Sequence, residues 1–253
     1  MSMQGLQRFA VAASVALAVT SATTAVHAAT LVKFAEFDQQ ALADPNVVWS
    51  NPGNTDNGDF YTADNGGKPS SVAVDFKFVN NALLASAGTI AANLTIAGGT
   101  TTTAATTVPI VDQSNVSGSF IITSVAGFFV GITHYSAGTI LLSGNWTKGD
   151  IAGKGTSGAA SASTLTSSVI NFSSGVAGAV SGKIPRDLVL NLDAIAPMLT
   201  AAPGKALQTF KANADGAFAQ AVPEPATWVM MMVGVGAIGA ASRRRRQLGS
   251  AAA

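Results

Sequence analysis

Side chains able to carry chemistry are scarce in this sequence. There is no cysteine, and the only histidines are His27 and His134. A Ser-His-Asp site would have to use His134, since His27 falls in the leader described below. Serines are plentiful, but no GxSxG elbow presents one. A lone histidine after the apolar run of GFFVGITH reads as a packed or surface strand residue. One histidine and no cysteine leave only carboxylates to complete a zinc site, which disfavours zinc. Oxygen ligands are better supplied. Asn54, Asp56, Asn57, Asp59 and Asp64 share a stretch with Gly53, Gly58, Gly66 and Gly67. Hard oxygen donors on a glycine loop suit calcium, although the spacing is not that of an EF-hand and Asn/Asp/Gly is ordinary turn composition. The expectation is therefore no cofactor, with Asp56, Asp59 and Asp64 marking the one place left open for calcium.

Two phosphate-loop patterns are decoys. Gly149 to Thr156 (GDIAGKGT) has three residues between its glycines where a P-loop has four, and Gly155 stands where Ser or Thr would hold magnesium. Gly153, Gly155 and Gly158 satisfy GxGxxG, but no amphipathic helix follows to receive a pyrophosphate. Gly234, Gly236 and Gly239 repeat that pattern inside an apolar tail, where small residues permit close helix packing instead. Trp49, Tyr61, Tyr135 and Trp146 are candidates for a sugar-stacking platform, weighed against core packing. The threonine-rich run at Thr100–Thr107 raises adsorption to ice or glycans, weighed against an exposed loop or edge strand.

The elements that would position these residues are mostly short strands. Ser71–Asn80 (SVAVDFKFVN) puts Val72, Val74, Phe76 and Phe78 on one side and Ala73, Asp75 and Lys77 on the other, the period of a half-buried strand. Similar runs predict strands at Leu31–Phe37, Val47–Ser50, Phe60–Ala63, Gly88–Ile96, Ser117–Thr123, Gly127–His134, Thr139–Ser143, Leu165–Phe172 and Asp187–Leu192. Turns are expected at 51–59, 64–69, 97–102 and 149–155, and Asn80–Ala87 has the composition for a helical turn. Many short strands imply a mainly β fold, a β-sandwich or jelly-roll-like body over residues 29–196. Pro197, Pro203, Gly204 and an alanine-rich polar stretch predict a linker or stalk over 197–222. With no cysteine, the body must hold without disulfides, and its length suffices for an unaided core.

Both ends read as handling signals. Residues 1–28 have the layout of a secretory signal peptide: Arg8, the apolar core Phe9–Val19, and a small-residue cleavage site that places the cut between Ala28 and Ala29. Near the other end, Pro223, Glu224 and Pro225 precede an uncharged apolar run from Ala226 to Ala241, closed by Arg243, Arg244, Arg245 and Arg246. The run predicts a transmembrane helix, its arginines held on the cytoplasmic side and Trp228 in the headgroup zone. Its sixteen residues span roughly 24 Å, short of the ~30 Å hydrocarbon core, as befits a transient anchor. Between the two ends, residues 29–222 hold nine lysines and arginines against twelve aspartates and glutamates, a net charge of −3. The whole-chain value of +1 thus comes from the termini. A mildly acidic body offers no electrostatic footprint for nucleic acid.

The tail over residues 223–247, with PEPATW, a short glycine-containing apolar helix and RRRR, resembles the PEP-CTERM sorting signal. Trp228, three residues after Pro225, is similar to the PEPxxWA subtype, with Val229 where that subtype has alanine. The resemblance implies export by a Gram-negative bacterium through Sec-type machinery and a transient inner-membrane intermediate with a periplasmic body. An exosortase-type membrane protease would then process the tail near Pro223, Glu224 and Pro225, and the body would pass to the cell surface or beyond, often alongside extracellular polysaccharide. It attaches no activity to the body. The expected function is a non-enzymatic structural or adhesive protein of an exopolysaccharide-rich envelope or matrix (biofilm) layer. The alternative is a carbohydrate- or ice-binding module, and a secreted hydrolase stands third.

Overall fold

The computed structural model describes residues 30–40, 45–79, 81–107, 110–154, 163–167, 169–180 and 186–222. In chain order these form β1 (Thr30–Gln39), β2 (Val47–Ser50), β3 (Gly58–Thr62), β4 (Val72–Phe78), α1 (Ala82–Ala85), β5 (Ile90–Thr100), β6 (Ala105–Thr107) and β7 (Ile110–Ser124). There follow β8 (Phe128–Val130), β9 (Thr133–Tyr135), β10 (Ile140–Lys154), β11 (Ser163–Ser167), β12 (Val169–Ser173), β13 (Arg186–Ala196) and β14 (Phe210–Val222). The body is mainly β, as the alternating patterns require. In β4, Val74, Phe76 and Phe78 are buried while Ala73 is exposed and Asp75 and Lys77 are half-buried. In β5, Ile90, Ala92, Leu94 and Ile96 face inward. The single helical turn α1 is capped by Asn81, whose side chain accepts from the N–H groups of Leu83 and Leu84.

Twelve strands form one antiparallel sheet, and β8–β9 form a separate hairpin. The larger sheet is sandwich-like, but its pairing also closes on itself. β14 bonds along one edge to β13 and along the other to β1 (Thr30↔Val222 through Phe37↔Gly216) and then to β2 (Phe210↔Trp49 through Ala212↔Val47). β5 repeats the arrangement, with β7 on one edge and β4 followed by β3 on the other. Since β1 pairs β4 and β2 pairs β3, a ring runs through β14, β13, β11, β10, β7 and β5 and back. Closure removes the open edges that a free sheet must protect. Where β1 gives way to β2, the side chain of Asn46 continues the ladder, accepting from Ala214 N–H and donating to Ala214 C=O.

The interior is filled from both walls. Phe34, Phe120, Phe172 and Phe218 form a cluster with ring centroids 5.0–6.3 Å apart. Trp49 and Trp146 lie in slots floored by glycine: a Cβ on Gly58 would sit 2.1 Å from the Trp49 ring, and one on Gly118 would sit 2.5 Å from Trp146. Such approaches are open only to a residue without a side chain.

Four expectations are corrected. The stretch 197–222 is not a stalk. Leu199, Ala206 and Leu207 are fully buried, and β14 is a central strand with partners on both edges. Its inward residues Phe210, Ala212, Ala214, Gly216 and Phe218 alternate with polar or small outward ones, the mark of a packed strand. Residues 97–100 are not a turn but the end of β5, where Gly98 and Gly99 let β7 and β3 approach. Residues 149–154 likewise continue β10 past a bulge at Lys148, whose φ is 55°. The expected strand 127–134 is a hairpin, turned at Gly131 with φ 59°.

Among the described residues no helix is long and apolar enough to cross a membrane. The expected signal peptide over 1–28 and the expected tail helix lie outside them.

Candidate functional site

Antiparallel pairing sends one set of strand ends to each end of the body. β1, β5, β10 and β13 start where β4, β7, β12 and β14 finish. The chain therefore enters at Thr30 and leaves at Val222 side by side, since these two are register partners. Pro223 follows with no spacer. The same end carries α1, the β8–β9 hairpin and residues 174–180. Outside the barrel near it, Lys33 and Lys77 both bond to Glu36, the latter at 2.6 Å. Burial alone would raise the Glu36 pKa, but the hydrogen bonds and charges of the two lysines outweigh it and hold it below the usual value.

The opposite end is closed by the stretch preceding β14. Gln113, fully buried on β7, accepts from the N–H of Leu207 at 3.1 Å and donates to the carbonyl of Thr102 at 2.9 Å. The Leu207 carbonyl accepts from Trp49 Nε1 at 2.9 Å and Asn51 Nδ2 at 3.0 Å. Every polar atom of that backbone unit is thus met by a buried side chain, as a loop folded into a barrel mouth demands.

Against this frame the candidate chemistry disperses. His134 is exposed on β9, its ring 4.8 Å from that of Phe129, and no acid occurs anywhere from Gln113 to Gly149. Asp56 and Asp59 are exposed beside the start of β3, while Asp64 lies beyond its far end, about 16 Å along an extended chain from Asp59. Asp64 caps its own turn, accepting from Lys68 N–H at 2.8 Å. No group of three or more potential metal-binding His, Cys, Asp or Glu side chains assembles among the described residues, and Asp56, Asp59 and Asp64 are not brought together. The phosphate-loop decoy is extended β10 backbone from Gly149 to Lys154.

The sugar-platform reading fails at its tryptophans, because Trp49 and Trp146 are 0% and 1% exposed. The threonine run is not a flat array either. Thr100 is buried, and its hydroxyl and that of Thr102 both bond to the Ser114 carbonyl. Neighbouring carboxylates occur at Asp112 with Asp150, where burial first and Asp150 second raise the Asp112 pKa. They line neither of two open clefts, one of about 160 Å³ between Gln39, Asn46, Asp64 and Val72, the other of about 330 Å³ between Phe172, Ser174, Gly178 and Arg186.

Sequence reasoning missed the juxtaposition of the two chain ends, which only the pairing of β1 with β14 reveals. Its signal was present in FKANADGAFAQ, an alternation in which alanine and glycine occupy the inward positions. Of the predicted site residues, Ala28, Ala29, Pro223, Glu224, Pro225, Trp228 and Arg243–Arg246 lie outside the described residues.

No curated protein and no solved structure matches this chain. The family model described as the PEP-CTERM protein-sorting motif matches residues 221–246, beginning on the last two residues of β14. The closed β body thus runs directly into a PEP-CTERM sorting motif, the signature of an exported protein sorted through an exosortase-type membrane protease.

Proposed function

We propose that this chain is a non-enzymatic structural or adhesive protein of the cell envelope or extracellular matrix, delivered by its tail to an exopolysaccharide-rich layer. The observation that carries the reading is the direct passage from strand β14 into the sorting motif at residues 221–246. The motif's first residues are anchored by the fold and its apolar run follows within a few residues, so the tail presents a self-contained body at the membrane. Pro223, Glu224 and Pro225 would be the recognised triplet, the apolar run the membrane hold, and Arg243–Arg246 the orientation signal. The body's part is mechanical: a disulfide-free barrel with a filled interior suits a building block better than a vessel for substrate.

Mass spectrometry of the exported protein tests the proposal. The expected C-terminus lies close to Pro223–Pro225. An exported species that retains its sequence through Arg246 in wild-type cells would overturn the processing role.

A further inference from the structure

Six of the ten large apolar side chains that are exposed among the described residues sit at the end of the body where the chain leaves it. They are Leu31, Leu83, Val125, Phe129, Ile132 and Ile140. Ile132, at the tip of the β8–β9 hairpin, is 100% exposed, and Phe129 and Leu83 are 60% exposed each. Leu83, Phe129 and Ile132 lie on two elements that meet. A Cβ on Gly131 would stand 2.9 Å from Leu83 Cδ1, so the hairpin tip and α1 abut and form one patch. Lone exposed apolar residues are ordinary on a soluble surface, but a contiguous apolar end marks a contact.

The charge at this end fits a lipid surface. The loops over 79–89, 125–139 and 174–180 contain no aspartate or glutamate. Glu36 is tied to Lys33 and Lys77, and Asp187, near the start of β13, has its pKa raised by burial. Lys33 and Lys77, with side chains 50% and 41% exposed, set two positive charges around the single Glu36 and are available to anionic headgroups. The opposite end is polar, with Asp56 and Asp59 exposed.

Val222 is paired to Thr30 at this end, and the apolar run starts four residues later at Ala226. Four extended residues reach at most about 14 Å. A run held in the bilayer would bring this end of the barrel to the headgroup layer.

We propose that the β8–β9 hairpin and α1 form a membrane-resting surface, with Phe129, Ile132 and Leu83 dipping into the headgroup–acyl boundary while the tail is attached. The occupant is the lipid of the membrane that the tail enters. This rests on the tethered intermediate proposed above. Docking would fix the angle of the barrel over the membrane and hold the PEP triplet at a constant height.

The absence of native cysteine makes the test direct. Single-cysteine variants Ile132→Cys, Asp56→Cys and Val233→Cys of the full chain are labelled with an environment-sensitive fluorophore and placed in phosphatidylethanolamine–phosphatidylglycerol vesicles bearing nitroxide lipids. The expected result is quenching at 132 and 233 at least threefold above that at 56. Quenching at 233 with none at 132 beyond the value at 56 would overturn the surface and leave the tether intact. Quenching at 132 without quenching at 233 would keep the surface and overturn the tether. No quenching at either would overturn both. A dry probe at 132 that lipid nitroxides do not quench would assign the patch to a second copy or another protein, and would also overturn the proposal.

Discussion

Thr30 and Val222 face each other as register partners on neighbouring antiparallel strands. The first and last strands of the body are thus one ladder, and both connections to the rest of the chain leave from a single point of the surface.

If β14 is structural, its removal cannot be tolerated as the loss of a stalk would be. A chain of residues 29–209 is expected to show no cooperative urea transition, whereas 29–222 unfolds in one step. Circular dichroism during the titration distinguishes the two. A cooperative transition in the shorter chain would restore the stalk.

Gly216 has Phe37 directly above it, and a Cβ there would lie 2.0 Å from Cε1 of the ring. Phe37 is itself fully buried and packs at 6.0 Å on Phe218, so the ring has nowhere to retreat. Gly216→Val is expected to cost about 3 kcal/mol or more, at the upper end of overpacking effects. A double variant with Phe37→Ala should recover part of that loss, which denaturant midpoints would reveal.

Gln113 holds the plug at the far mouth through the N–H of Leu207. Gln113→Leu preserves bulk but strands that buried donor, at a cost of about 1–3 kcal/mol. The damage should be local: hydrogen exchange is expected to rise over 199–209 ahead of β5 and β10.

Asp215 on β14 has its pKa raised, by burial above all and further by the charges of Asp38 and Asp193, against the opposing hydrogen bond from Gln39 N–H. The folded chain therefore holds this proton more tightly than the unfolded chain. Ionisation weakens the fold at neutral pH, and the penalty fades as pH falls from the raised value through the ordinary 3.8. Asp215→Asn should melt at a higher temperature than wild type near pH 7, with the two converging by about pH 3. Glu36 acts in the opposite sense, its contribution lost as pH falls below 4.5 toward its lowered pKa. It is common to both proteins and leaves their difference unaffected.

How much of this was legible in the sequence depended on the range of the cause. β4 and β2 could be read directly, because their large apolar residues alternate or cluster within a few positions. β14 is hard to read because three of its five inward residues are alanine or glycine, and Gly216 is dictated by the ring of Phe37, far away in the chain. Gly98, Gly118 and Gly149 make room for Trp146, a demand no local window contains, so two of their segments looked like turns. The aromatic platform failed for the same reason: composition shows that Trp49 and Trp146 exist, and only the packing shows that they point inward. The sorting tail was readable because a protease reads it as a linear motif.

The ladder between Thr30 and Val222 joins residues about 190 positions apart, and contacts of such long sequence separation form late. On an exported chain that emerges from its N-terminus, the ring cannot shut until its closing strand has crossed the membrane. The sorting triplet is the next thing to arrive. A chain broken off early would lack both the last stave of the barrel and the tag, so it would be neither folded nor addressed. Placing the address immediately after the final strand makes delivery conditional on a finished product.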